Sequence, residues 1–218
     1  FGWFEAPPAA ALAAADTLLA ELGAGDLASG TLRPFGRELL ELPLHPRLGA
    51  VVQEGRQLGC AVAAAIAAVL LSDVEQLGRG DGQDLLAAVD AFLLAEERGF
   101  PDAMCREFGS WSGQARQLKA TRDRLLGSAR RGDRDTSLLA RCLLVGFPDR
   151  VARRSPTGEP RTATMVGGRG LTLPAAADGH DLVLALRLLE TGRQQRSRAT
   201  LVAALEVADL EAVEPHAL

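Results

Sequence analysis

Lysine is almost missing from this 218-residue chain: Lys119 is the single one, and tyrosine and asparagine are absent altogether. A phosphate-binding loop of the form G-x-x-x-x-G-K-[ST] needs a lysine directly after a glycine, and the sole lysine sits in QLKAT, so no window of the chain can be one. Cysteine is scarce and odd in number. Cys60, Cys105 and Cys142 have no CxxC spacing and the first and third lie inside apolar runs, so they read as reduced core residues, as in a cytoplasmic protein. His45, His180 and His216 are too far apart in sequence to suggest a metal or Cys–His site by spacing. No apolar run approaches the roughly 20 residues that cross a bilayer; the longest, Leu58 to Leu71, contains Gly59. No membrane association is expected. FGWFEAPP lacks a basic segment ahead of an apolar one, so it reads as the start of a piece cut from a longer chain rather than as a signal peptide.

What is present is apolar and arginine-rich. Hydrophobic residues make up 47% of the chain, ample for one to three compact units. The prevalence of arginine over lysine is ascribed to codon bias toward Ala, Arg, Gly and Leu. The net charge of -4 argues against a uniformly basic nucleic-acid binder. Its distribution is uneven, however. Residues 1–112 carry 7 arginines against 16 acids, residues 113–170 carry 13 cations against 5 acids, and residues 171–218 carry 4 against 7. A basic middle flanked by acidic segments marks the candidate interaction surface.

Along the chain, Pro7 and Pro8 can open a helix because the amide a first-turn proline lacks would be unpaired anyway, and Ala9 to Leu22 is rich in helix formers ended by Gly23. GDLASGTLRPFG predicts a short hairpin feeding a helix at Pro34 to Leu42, a winged-helix-like pattern over residues 1–45. From Pro46 the apolar positions recur at three and four residues, as in Leu85, Leu86, Val89, Phe92 and Leu93, which predicts a helical bundle over 46–135 broken at Gly59, at LGRGDG and at Gly99 with Pro101. SPTGEPR reads as a linker. TATMV, LTL, LVLALRLL and ATLVAALEV read as strands of a small barrel or sheet, although LVLALRLLE fits a helix equally, and DLEAVEPHAL reads as a short helix or tail. The expected fold is mainly α with a small β part: a winged-helix-like unit, a helical bundle, and over 136–218 a linking helix with a partial OB-fold-like β barrel.

Four strings carry a family resemblance. FGWFEAPPAAALAAADTLLAELGAGD, TLRPFGRELLELPLHPRLGAVV, LLARCLLVGFPDRVARR and MVGGRGLTL, in this order, resemble the region that follows the two motor domains in the HrpB branch of the DEAH-box ATP-dependent helicases. The match between Gly109 and Thr136 is loose, and the barrel ends early relative to that pattern. The resemblance implies an accessory module that helps form a channel for single-stranded RNA. ATP and magnesium would be handled by RecA-like motor domains, for which this chain has neither a Walker A lysine nor a DEAH-type box. The chain's expected partners are therefore single-stranded RNA or another nucleic acid and the motor domains of the same protein, and it should be inactive alone.

The residues point to where contact would occur. Arg150, Arg153 and Arg154 in FPDRVARR would share one face if the stretch were helical, and the forked guanidinium suits phosphate oxygens. Arg116, Lys119, Arg122 and Arg124 form a second basic run on the preceding predicted helix. GGRG at 167–170 reads as a hairpin turn from which Arg169 could project toward RNA. The competing account of these cations is a solvated face paired with Asp149 or docked on acidic protein surface. Trp111 and Phe108 beside Gly109 could stack on a base but are expected to pack in the core. PLHPRL, with two prolines restraining the backbone, predicts a rigid break, which ordinary helix-end punctuation also explains. A free-standing winged-helix DNA regulator is disfavoured, because residues 1–50 hold only Arg33, Arg37 and Arg47 against six acids.

Overall fold

The computed structural model describes residues 6–26, 28–127, 134–156, 161–190 and 196–213. The opening FGWFE, most of the SPTGEPR linker, and His216 with the rest of the tail after Val213 therefore lie outside the described residues. Helix α1 (Ala9–Glu21) starts behind Pro8, and a short antiparallel pair follows, β1 (Gly25–Asp26) with β2 (Thr31–Leu32). Helix α2 (Pro34–Leu40) begins at its proline, two residues shorter than the sequence predicts. The small core of this unit, Leu22, Ala24 and Leu39, is completed by Ala50 of the following helix, and α1 buries no residue fully.

The junction between α2 and the pair depends on one glycine. A Cβ on Gly36 would lie far inside contact distance of the Ala24 carbonyl oxygen, which also accepts the Arg33 amide at 2.9 Å. Gly36→Ala is expected to cost about 1–3 kcal/mol through overpacking. Limited proteolysis should then cut near residues 24–33 while the rest of the chain keeps its melting temperature; unchanged resistance there would rule out this close approach as a constraint.

The bundle comprises α3 (Pro46–Leu58), α4 (Ala61–Asp73), α5 (Leu85–Glu97), α6 (Asp102–Cys105), α7 (Ser112–Leu126) and α8 (Leu139–Gly146). Helix α4 is its axis. AVAAAIAAVL combines the best helix former with uniformly apolar side chains, so it has no solvent face, and Ala61 to Leu70 are all buried. Short side chains let α3, α5, α7 and α8 approach it closely. A cluster of Phe92, Phe100 and Phe108 fills the space beside α5 with ring centroids 5.2 and 5.3 Å from Phe92.

After a 3-10 turn at Pro148–Arg150 the chain enters a five-stranded barrel-like sheet, β4 (Val151–Arg154), β5 (Thr162–Met165), β6 (Gly170–Thr172), β7 (Leu182–Leu189) and β8 (Ser197–Leu205). Strands β4, β5 and β6 form an antiparallel meander, β6 pairs parallel with β8, and β7 joins β8 to β4 antiparallel, so the ring closes. The ambiguous segment LVLALRLL is thus a strand. Val183 and Ala185 point into the barrel while Leu184 packs on the bundle, and burial on both faces turns an alternating pattern into a continuous apolar run. GGRG forms the β5–β6 turn as the sequence predicts, with Gly167 and Gly168 at φ of 82° and 84°. A two-residue strand the sequence reading missed, β3 (Gln83–Asp84), lies at the base of α5 and pairs parallel with β8, Gln83 opposite Leu201. Leu184, Leu201, Ala203 and Leu205 belong to the bundle's core, and the short helix α9 (Val207–Val213) packs back on α8.

Candidate nucleic-acid interface

Helix α7 carries the first predicted basic run. Its buried stripe is Ala115, Leu118, Arg122, Leu125 and Leu126, so position 122 falls on the core face. The Arg122 side chain is 6% exposed and donates to both Glu96 carboxylate oxygens at 2.7 and 2.8 Å, and to Asp123 Oδ1 at 2.7 Å. Lys119 donates to Asp123 at 2.6 Å and lies 3.7 Å from Glu96, and Arg134 reaches Glu96 at 3.4 Å. Burial pushes the Glu96 pKa up, but the Arg122 bonds and the charges of Arg122, Arg134 and Lys119 outweigh it and hold the carboxyl below its ordinary range. Arg122 is therefore corrected from a nucleic-acid contact to half of a buried ion pair, and Lys119 belongs to the same cluster. Arg116 and Arg124 remain exposed; among the described residues Arg116 bonds to Gly99 O, and Arg124 to Ala120 O and Thr121 Oγ1. Arg124 ends a groove of about 500 Å³ along α7 with Gln114, Gln117, Thr121 and Asp73.

The second run does not form one helical face. Arg150 ends the 3-10 turn, where it donates to Asp149 at 3.2 Å, and Arg153 and Arg154 are consecutive on β4, so their side chains leave opposite faces of the strand. Arg154 donates to the carbonyls of His180 and Ala177, tying β4 to the 3-10 turn at Ala175–Ala177, and so serves the fold. Arg153 is exposed in a groove of about 640 Å³ shared with Ser155, His180, Asp181 and Glu206. Arg169, instead of projecting freely, donates to Ser197 Oγ at 2.9 Å and Glu190 at 3.0 Å. The continuous electropositive wall expected from charge counting is broken by these internal pairs. Of the predicted contacts, Arg116, Arg124 and Arg153 are exposed and form no ion pair among the described residues, whereas Arg150 is half-buried against Asp149 and Arg169 is exposed but paired with Glu190.

Sequence reasoning missed Arg47. From the PLHPRL segment it donates to both Asp149 oxygens at 2.6 and 3.1 Å and to Gly146 O, and lies 5.5 Å over the Phe147 ring. The charged pair joins PLHPRL to FPDR, two of the strings that carry the resemblance, although 102 residues separate the partners. His45 caps α3 through Nδ1. Phe108 is fully buried as expected, whereas Trp111 is 59% exposed, because its position at the N-cap of α7 turns the ring away from the core. All three cysteines are buried thiols, and Cys60 Sγ lies 3.4 Å from Cys142 Sγ. Among the described residues no group of His, Cys, Asp or Glu could hold a metal ion, and no helix is long and apolar enough to cross a membrane.

No family model matches the chain. A curated relative, the ATP-dependent RNA helicase HrpB of Escherichia coli K12, is 29% identical over 210 residues, which is 95% of this chain and 23% of the relative. Two crystal structures of the E. coli protein, described as a DExH-box NTPase and as a DEAH/RHA helicase, superpose with TM-scores of 0.69 and 0.67 at 27% identity, covering 98% and 94% of this chain and 23% of theirs. The chain spans just under a quarter of the length of these relatives. In both sequence and fold, then, its neighbours are HrpB proteins of the DEAH/RHA helicases, and the likeness runs through nearly the whole of this chain.

Proposed function

We propose that this chain is an accessory module of an HrpB-like ATP-dependent RNA helicase, giving sequence-independent backbone contacts to single-stranded nucleic acid while RecA-like domains elsewhere in the protein bind ATP and magnesium and hydrolyse the nucleotide. The observation that carries the reading is similarity to HrpB along 95% of the chain. On this reading residues 1–45 are the winged-helix-like unit, 46–135 the ratchet-like bundle, and 136–218 a linking helix with an OB-fold-like barrel, in a cytoplasmic protein. The parallel closure of β6 on β8 and the order β4-β5-β6-β8-β7 support an OB-fold-like assignment, a barrel type used to bind oligonucleotides.

Arg116, Arg124, Arg150 and Arg153 supply phosphate contacts on this reading. Their number sets the salt dependence: four contacts to a single strand give a slope near -3 in log K against log salt, a loss of roughly 50-fold when salt rises fourfold. Anisotropy of a labelled 12-nucleotide RNA with the 218-residue chain should show that loss. Binding equally tight at both salt concentrations would refute a backbone-contact mechanism.

A second reading, docking on the motor or a protein partner without direct contact to nucleic acid, is favoured by two observations. Two of the four α7 cations, Lys119 and Arg122, are neutralised within the chain, and Leu12 and Leu40 are 46% and 74% exposed on the α1–α2 unit. Arg150→Glu with Arg153→Glu separates the two: the accessory-channel reading expects RNA affinity to fall with the fold intact, and the docking reading expects only motor association to fall.

A further inference from the structure

A groove of about 560 Å³ opens where the loop after α4 meets the barrel strands β7 and β8, lined by Glu75, Leu77, Gly78, Arg79, Gly80, Arg187, Leu189 and Thr200. Two cations line it, Arg79 and Arg187, and a third, Arg198, stands at its rim. Arg187 on β7 reaches across to donate from Nη1 to the carbonyls of Val74, Glu75 and Leu77. Arg198 on β8 stands at the rim rather than in the lining, donating from Nη2 to Gly80 O at 2.9 Å, and Arg79 is 62% exposed on the loop that both arginines hold.

Three features distinguish this place from an ordinary solvated face. The first is uncompensated charge: among the described residues no carboxylate pairs with Arg187 or Arg198, and Arg79 has only the 89% exposed Glu75 at 3.9 Å. Glu190, the acid next to Leu189, is taken by Arg169 at 3.0 Å. The second is the mutual repulsion this leaves. Burial and then the like charge of Arg79 hold the Arg187 pKa below the ordinary guanidinium value, outweighing the opposing charge of Glu75, so the charged state is carried at a cost that a bound anion would relieve. The third is the apolar side of the groove, where Leu189 is 53% exposed beside Leu77. A nucleotide unit offers both complements, a phosphate for guanidinium forks and a flat base for apolar surface, whereas an acidic peptide answers only the charge.

We propose that this groove binds a phosphodiester of single-stranded nucleic acid, with Arg79 and Arg198 contacting the phosphate and Leu189 lying against the adjoining base. This deepens the accessory-channel reading and rests on it. Arg187 helps to organise the site by fixing the loop, and Gly80 leaves it open, since a Cβ there would meet nothing within 4 Å. The position falls outside the segment of highest positive charge, because its arginines are drawn from residues 79, 187 and 198, more than 100 positions apart at the extremes.

The test is anisotropy of a labelled 12-nucleotide oligo(U) RNA at low salt with the full chain and with Arg79→Ala/Arg198→Ala, whose melting temperatures are compared first; Arg187 is left in place because its loss endangers the loop. Removing two charge-assisted contacts should weaken binding by roughly tenfold or more, and Leu189→Ser alone should weaken it less. Equal RNA binding by the chain and the folded double variant overturns this site while the accessory-channel reading stands. No RNA binding by the unaltered chain overturns both, and if a poly-glutamate peptide then binds and is lost with the double variant, the groove is a protein-docking site.

Discussion

Glu96→Ala should be among the most damaging single changes in the chain, lowering stability by about 3–5 kcal/mol, because it leaves the 6%-exposed Arg122 guanidinium in the interior without its two-pronged partner. For a domain of this size that corresponds to a fall in melting temperature of roughly 10 °C. The neighbours cannot make up the loss: Asp123 already accepts from both Lys119 and Arg122, and Arg134 and Lys119 would face Arg122 with one fewer anion between them. Adding Arg122→Met to Glu96→Ala should recover part of the loss, since an apolar side chain of similar length removes the stranded charge. The pH dependence has a definite sign. Glu96 and Asp123 both have pKa values held below their ordinary 4.5 and 3.8, so their contribution is complete above those values and disappears as pH falls through the lowered folded-state values. Urea denaturation of the unaltered chain and of Glu96→Ala should therefore differ fully near neutrality and converge as the solution is acidified below the ordinary carboxylate range. A difference below about 1 kcal/mol at neutral pH would mean that the cluster is a solvated surface pair.

Phe92→Ala should cost a comparable amount, about 3–5 kcal/mol, by a different route. The ring is fully buried between Phe100 and Phe108, and the Arg122 guanidinium carbon lies 6.0 Å above it, so truncation opens a cavity and removes an aromatic face from a desolvated cation. The consequence extends to Phe100, which is held at φ of 60° with its amide donating to Ala95 O at 2.7 Å. A non-glycine residue stays in that conformation only while its surroundings enforce it. Phe92→Leu keeps most of the volume and should lose markedly less. Chemical denaturation of the two variants checks the order, and equal losses would mean that ring contacts add nothing beyond volume.

The parts of the fold legible in the sequence were those with a strong local signal. Pro8, Pro34 and Pro46 mark helix starts, AVAAAIAAVL has no side for water, and GGRG turns where its glycines adopt positive φ. The reading of the basic segment went wrong where charge was counted without phase. Arg122 follows Leu118 by four and precedes Leu125 by three, so the helical period that identified α7 also assigned this arginine to the core. Arg153 and Arg154 share a strand, whose period of two separates neighbours that a helix would have kept closer. Arg47–Asp149, β3–β8 and the Arg79, Arg187 and Arg198 groove had no local signal at all, because each joins residues whose proximity exists only after folding. Trp111 illustrates the converse: an apolar residue read as core from its type alone lies outside because it precedes the first buried position of α7.

The pairing of β3 with β8 has a mechanical consequence. One edge of β8 is bonded to a strand that leads directly into α5, while Leu201, Ala203 and Leu205 of β8 sit among the bundle's own side chains. A torque on the barrel is thus transmitted to the helices through backbone bonds and packing together, and the two move as a stiff arm. The α1–α2 unit is attached through a smaller core, Leu22, Ala24, Leu39 and Ala50 with Leu18, Leu19, Phe35 and Val145 packed against it. Bending between that unit and the rest would disturb less packed surface than parting barrel from bundle.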